Sequence, residues 1–168
     1  AFVFQNSKLF KTSIYENVRL ARPESSHEEV MKALEMAMCG NILDKFESRE
    51  NTIIGASGVH LSGGEMQRIA VARAILKDAS IVILDEASAA SDPENEYEMQ
   101  RAFKALMKDK TVIMIAHRLS SIRNVDEILF VEEGQVVERG SHDELMAGQT
   151  KYRHFQDLFN KANEWRLA

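Results

Sequence analysis

Leu61-Ser62-Gly63-Gly64-Glu65, followed one helix later by Ile81-Val82-Ile83-Leu84-Asp85-Glu86, is the stretch whose reading decides the fold of this chain. Ser62 and Glu65 have the S-x-x-E spacing of a capping box, in which each side chain satisfies a backbone N–H at a helix start. A cap does not need Gly63 and Gly64, each of which costs a helix about 1 kcal/mol against alanine. Paired glycines do give unobstructed approach to N–H groups at the positive end of a helix dipole, where phosphate binds well. On the residues alone, the motif reads equally as a plain cap and as a phosphate site. The helix continues through Met66, Ile69, Ala70, Val71, Ala74, Ile75 and Leu76, and an apolar surface nearly all round after Arg68 predicts burial on most sides. Residues 77–80 form a polar turn. Residues 81–84 are a β-branched run without alternation, the pattern of a strand covered on both faces of a parallel sheet. Asp85 and Glu86 follow at its carboxyl end, where open parallel sheets bind ligands. One such acid can hold magnesium through water while its neighbour orients or deprotonates an attacking water. The plainer alternative is a pair of acids opening a loop.

Downstream, Asp92 and Pro93 have the N-cap and first-turn pairing that starts a helix, and that role alone accounts for them. The helix carries Met99, Ala102, Phe103 and Leu106 as a 3.6-residue stripe. After a turn at 108–110, residues 111–116 form a second β-rich strand ending at His117. Strand, helix, strand implies a right-handed parallel crossover, which puts His117 on the same sheet edge as Asp85 and Glu86. A lone histidine at a strand end is ordinarily structural; one sharing an edge with paired acids reads as part of a site. Residues 127–131 and 135–139 predict a hairpin around Glu133-Gly134. Gly140-Ser141-His142-Asp143-Glu144-Leu145 opens another capped helix, with His142 expected on its surface. The last helix gathers Tyr152, Phe155, Leu158, Phe159 and Ala162 on one side, to pack on a core or a partner.

Upstream, Ala1-Phe2-Val3-Phe4-Gln5 reads as a strand already under way, so the chain is expected to be a fragment. Ser25 and Glu28 form a capping box for a helix with Val30, Leu34, Ala37 and Met38 on one face, ending near Gly40-Asn41. A second helical piece is expected around 42–46, then a loop over 51–60 marked by Gly55 and Gly58. His60 reads as a loop residue without metal-ligating partners.

The 168 residues, 45% hydrophobic and 28% charged with two prolines, predict a soluble globular chain of one-domain size. A net charge of -5 and the lack of a basic stripe argue against nucleic acid as a partner. The single Cys39 excludes an internal disulfide framework, and its apolar neighbours predict core packing. No apolar run approaches the ~20 residues that span a bilayer.

The paired motifs at 61–65 and 81–86 resemble the signature motif and Walker B strand of an ATP-binding cassette (ABC) ATPase. The resemblance extends over essentially the whole chain and is closest to exporter cassettes. Gln5 matches the glutamine of the Q-loop, and the residues from Ser7 to Asn17 resemble the lead into the helical subdomain. Thr52, Gly55 and Gly58 match the X-loop, where Ile53, Ala56 and Ser57 replace its usual charged residues. Ala89-Ala90-Ser91-Asp92 stands where the D-loop has Ser-Ala-Leu-Asp, keeping the aspartate. His117-Arg118-Leu119-Ser120 resembles the H-loop. No G-x-x-x-x-G-K-[ST] loop occurs in the chain, and by resemblance that loop and the adenine-stacking aromatic lie upstream of Ala1.

The resemblance implies an α/β fold, a partial P-loop NTPase of the ABC ATPase type with a parallel-sheet core plus a helical subdomain. The helical and signature subdomain would span about 12–75, with about 1–6 and 76–168 in the α/β core and carboxyl-terminal helix. The implied function is ATP binding and hydrolysis by an exporter, at a head-to-tail dimer with a second ABC ATPase domain, identical or not. Glu86 would be the general base or water-orienting residue, with His117 at the γ-phosphate. Leu61, Ser62, Gly63, Gly64, Glu65, Gln5 and Asp92 would bind ATP. Asp85, through water, and Gln5 would hold Mg²⁺. A transmembrane domain, fused upstream, would be the second partner, at the cytoplasmic face of a membrane, and the isolated fragment would be inactive. Two alternatives are a chromosome-maintenance ATPase, in which Glu65 is usual, and a non-hydrolytic interaction fragment.

Overall fold

The structure, a computed structural model, describes residues 1–4, 8–55, 58–85, 93–116 and 122–164. By their contacts the residues divide into two compact units, 1–115 and 116–168. In the first, strands β1 (Phe2–Val3), β2 (Ile81–Asp85) and β3 (Thr111–Ile115) form a parallel sheet in the order β1-β2-β3. Helices α1 (Ile14–Arg19), α2 (His27–Met36), α3 (Gly40–Leu43), α4 (Gly63–Lys77) and α5 (Pro93–Met107) complete the unit. The crossover from β2 through α5 to β3 is parallel, as the element order predicts.

Helix α4 is the element the unit is built on. It packs against α1, α2, α5 and β1, and Ile69, Val71, Ala72, Ala74 and Leu76 are buried in one core with Val3, Val82, Leu84, Met99 and Leu106. The near-uniform apolar surface read from its sequence is thus burial on most sides. Asp78 ends it in the left-handed conformation, φ 49°.

One buried group in α4 is charged. Arg68 is 1% exposed, and its Nη1 donates to Glu98 Oε2 on α5 while Nη2 reaches Asn41 Oδ1 on α3 at 3.5 Å. Asn41 Nδ2 in turn donates to both Glu98 oxygens, at 3.0 and 3.1 Å. A second polar clamp holds the segment before α1. The side chain of Asn17, fully buried, accepts from Phe10 N–H and Arg73 Nη2 and donates to the carbonyls of Phe10 and Ser13.

Three features of the first unit differ from the sequence-based expectation. The cap of α2 is Ser26 with Glu29, not Ser25 with Glu28: Ser26 N–H donates to Glu29 Oε2 at 2.8 Å and Glu29 N–H to Ser26 Oγ at 3.2 Å. Both S-x-x-E registers are present, and burial decides between them, because Ser25 is buried and accepts from Arg22 Nε at 2.7 Å. The chain leaves α2 after Met36, with Met38 in the left-handed region at φ 56°, and α3 starts at Gly40, earlier than the piece expected around 42–46. The third difference is in the sheet. Val3, Val82 and Leu84 are buried on one face, whereas Ile81, Ile113 and Ile115 on the other are 53%, 52% and 51% exposed, with Phe2 also exposed. An apolar run shows that both faces are apolar; it does not show that both are covered within these residues.

In the second unit β4 (Ile128–Glu132) and β5 (Gln135–Gly140) pair antiparallel through Glu133 and Gly134, both at positive φ, the geometry of a tight two-residue hairpin turn. Helix α6 (His142–Ala147) carries the expected box of Ser141 and Glu144, and α7 (Lys151–Glu164) follows. His142 takes its expected place in the first turn, partly exposed, and gains a partner there. Its Nδ1 lies 2.8 Å from the hydroxyl of buried Tyr152, which also accepts from Gln156 Nε2 at 2.7 Å. Of the expected stripe on α7, Tyr152 is buried while Phe155 and Leu158 are about half exposed, because the buried core of this unit is small, built on Ile128, Leu145 and Tyr152.

Two outcomes follow for stability and reactivity. Glu98→Ala removes the Glu98 carboxylate from the buried Arg68 guanidinium and should cost about 3 kcal/mol in denaturant unfolding, with Glu98→Gln costing less. Cys39 is buried and burial pushes its thiol up to about 12, so alkylation at neutral pH should proceed only as fast as the chain unfolds.

Candidate nucleotide site

Two places in the first unit correspond to the stretches singled out from sequence: the start of α4, and the carboxyl edge of the sheet. At the first, Ser62 is the N-cap in extended backbone, φ -66° and ψ 163°. Its N–H donates to Glu65 Oε2 at 2.7 Å, and Glu65 N–H donates to Ser62 Oγ at 3.3 Å, a complete capping box. Leu61, just before it, is buried in the core and anchors the chain where the helix begins.

The glycines bear on what this helix start can do. Neither Gly63 nor Gly64 has a positive φ, and a Cβ added at Gly63 would meet nothing within 4 Å. A Cβ at Gly64 would meet only Asn95, at an ordinary 3.8 Å. The fold of this unit therefore demands neither glycine, although alanine would favour the helix by about 1 kcal/mol at each position. What remains is access. The first-turn N–H groups of an α-helix have no acceptor within the helix, and those of Gly63 and Gly64 have no side chain of their own over them. Such a start holds an anion by hydrogen bonds and by the helix dipole.

Glu65 adds a charge to this turn. Burial pushes its carboxyl up, but the Lys45 ammonium and the Ser62 N–H more than offset burial and hold it below the ordinary glutamate value. A carboxyl so held stabilises the folded chain above that ordinary value and loses the contribution as pH falls through its folded pKa. Lys45, twenty residues upstream in sequence, carries no motif that announces the contact.

At the sheet edge, β1, β2 and β3 end in register, with Val3 opposite Leu84 and Asp85 opposite Ile115. In sequence, Gln5, Glu86 and His117 follow these strands within two residues. Gln5, Glu86, Asp92 and His117 themselves lie outside the described residues. Asp85 is described: it is partly exposed at the last position of β2. Among the described residues no group of three or more metal-ligating side chains gathers. A single carboxylate still fits magnesium, which keeps most of its waters and takes one or two carboxylates together with phosphate oxygens. The buried Arg68–Glu98 pair joins α4 to α5, the helix that follows Asp92.

Comparison with known proteins adds to this geometry. The model of the ABC transporter family matches residues 1–89. The ATP-dependent lipid A-core flippase of Pectobacterium atrosepticum is 48% identical over 153 residues, which cover 90% of this chain and 26% of that protein. The flippase of the same name from Salmonella typhimurium is 47% identical over 159 residues, 94% of this chain and 27% of that protein. That of Neisseria meningitidis serogroup A is 41% identical over all 168 residues, 27% of its own length. The chain thus spans about a quarter of the length of the curated relatives it matches.

Gly63→Ala separates a structural helix start from an anion-binding one. It should leave the unfolding midpoint unchanged or slightly raised, yet, where the helix start binds phosphate, weaken that binding by about tenfold or more in a titration with ATP, through the methyl group standing over the first-turn N–H groups.

Proposed function

This chain belongs to the ABC transporter family, and from that we infer that it is the signature-bearing part of an ATP-hydrolysing cassette in a membrane exporter. The observation that carries the reading is the start of α4, where a capping box and two glycines that the fold does not require leave N–H groups open to an anion. In the intact protein two cassettes pair head to tail. Each ATP then lies between the phosphate loop of one and Leu61-Ser62-Gly63-Gly64-Glu65 of the other. The proposed domain division keeps about 12–75 as the helical and signature subdomain, with about 1–6 and 76–168 in the α/β core and carboxyl-terminal helix.

Each residue has a distinct task in this reading. The Ser62 hydroxyl and the Gly63 and Gly64 N–H groups bind and orient the triphosphate. Glu86, next after the end of β2, takes up a proton from the attacking water or orients it. His117 and Gln5 contact the γ-phosphate side, and Asp92 couples the two sites across the dimer. Asp85, through water, and Gln5 would hold Mg²⁺, which when bound offsets the charge of the phosphate oxygens. The sequence has no G-x-x-x-x-G-K-[ST] loop, and in this proposal that loop is supplied from elsewhere in the intact protein.

Among the described residues no helix is long and apolar enough to cross a membrane, and the reading assigns that task to a transmembrane domain, fused upstream, that the cassette drives from the cytoplasmic face. The cargo reading follows the relatives, which are named for flipping lipid A-core: an amphipathic glycolipid is the first cargo to test. A chromosome-maintenance ATPase is disfavoured by 41–48% identity to flippases along nearly the whole chain.

Glu86→Gln in the full-length protein should leave ATP affinity within about threefold while lowering turnover by at least about 100-fold, the range for loss of a positioned general base. Turnover near that of the parent would remove Glu86 from its assigned role.

A further inference from the structure

Glu65 is a negative charge in the first turn of the helix whose start is proposed to receive a triphosphate. A carboxylate there strengthens the cap through the helix dipole. The same charge opposes an anion arriving at that end of the helix. Lys45 stands where this conflict can be met. It follows α3, and its ammonium pairs with Glu65 Oε1 while the Ser62 N–H holds Oε2 at 2.7 Å. The partners are unequally placed: the side chain of Glu65 is 8% exposed and that of Lys45 is 56% exposed. A pair with one half this open adds little stability by itself. What it can do is fix a carboxylate that already lies inside the turn and cancel its charge.

We propose that Lys45 is a positioning residue of the nucleotide site: by holding and neutralising the Glu65 carboxylate within the cap, it keeps the Gly63 and Gly64 N–H groups and the Ser62 hydroxyl receptive to phosphate. The Ser62 oxygen accepts from Glu65 N–H at 3.3 Å, which leaves its own hydrogen to donate outward. Without Lys45 the carboxylate is an uncompensated anion within the turn, and it is free to leave the Ser62 N–H. Lys45 acts through Glu65 and needs no contact with the nucleotide. The proposal rests on the reading of the α4 start as an ATP contact.

A double-mutant cycle in the full-length protein tests it, with KM for ATP, kcat and unfolding midpoint measured for each variant. Lys45→Ala, and Lys45→Gln as the variant that keeps the stem, should raise KM about tenfold while moving kcat less than about threefold, the signature of weakened ground-state binding. Lys45→Arg should stay within about twofold of the parent, because it retains the charge. In a Glu65→Gln background the same Lys45 substitutions should move KM by less than about twofold, since the charge they would expose is gone. A merely structural role would move the unfolding midpoint and kcat with KM. Equal losses in both backgrounds, or no loss with Glu65 in place, would overturn the role of Lys45. Gly63→Ala distinguishes the underlying reading: full turnover in that variant removes the nucleotide from the helix start, whereas lost turnover with an additive cycle removes only Lys45.

Discussion

Arg68 is a full positive charge with almost no contact with water, and two helices of the first unit bring polar partners to its terminal nitrogens. Moving a guanidinium out of water costs several kcal/mol even after relaxation, and the return comes only if carboxylate and amide partners meet it with good geometry. Two of those partners come from α5 and α3, so accommodating the charge links the docking of three helices. The apolar remainder of α4 stabilises the unit by burial in the ordinary way. Burial alone is non-directional, however, and the Arg68–Glu98–Asn41 network supplies direction by setting which parts of α5 and α3 lie against α4. The clamp of Asn17 and Arg73 performs a similar task for the segment before α1.

This rigidity matters for the α4 start. A helix N-terminus can meet an anion closely only if its position is defined and nothing stands over its N–H groups. Leu61 in the core fixes the entry of the chain, the capping box fixes the first turn, and the two glycines keep it bare. Glu65 belongs to both requirements, since one oxygen completes the cap and the other engages Lys45. The helix is therefore packed for stability along most of its length and left open at one end.

The sheet shows a complementary arrangement. Its three strands end in register at one edge, yet the face bearing Ile81, Ile113 and Ile115 is exposed while the opposite face is core. The second unit has a similar imbalance between a buried tyrosine cluster and the exposed Phe155 and Leu158 on α7. In both places the sequence contains more apolar surface than the described residues cover.

Much of this was legible in the sequence because it depends on short-range chemistry. The Ser62/Glu65 and Ser141/Glu144 boxes, the Glu133-Gly134 turn, the stripe of α5 and the parallel order of β2 and β3 each follow from residues a few positions apart or from element order, and each is observed. The paired motifs 61–65 and 81–86 likewise identify the family from sequence alone. Tertiary structure decided what depends on distant contacts. It chose Ser26 over Ser25, because only burial distinguishes two equivalent spacings, and it put the first-turn His142 beside the buried Tyr152 hydroxyl. It also brought Lys45 to Glu65 and Glu98 to Arg68 across twenty and thirty residues of chain. Local patterns fix hydrogen bonds within a turn of the backbone, whereas a buried or neutralised charge takes its partner from whichever element the packing brings beside it.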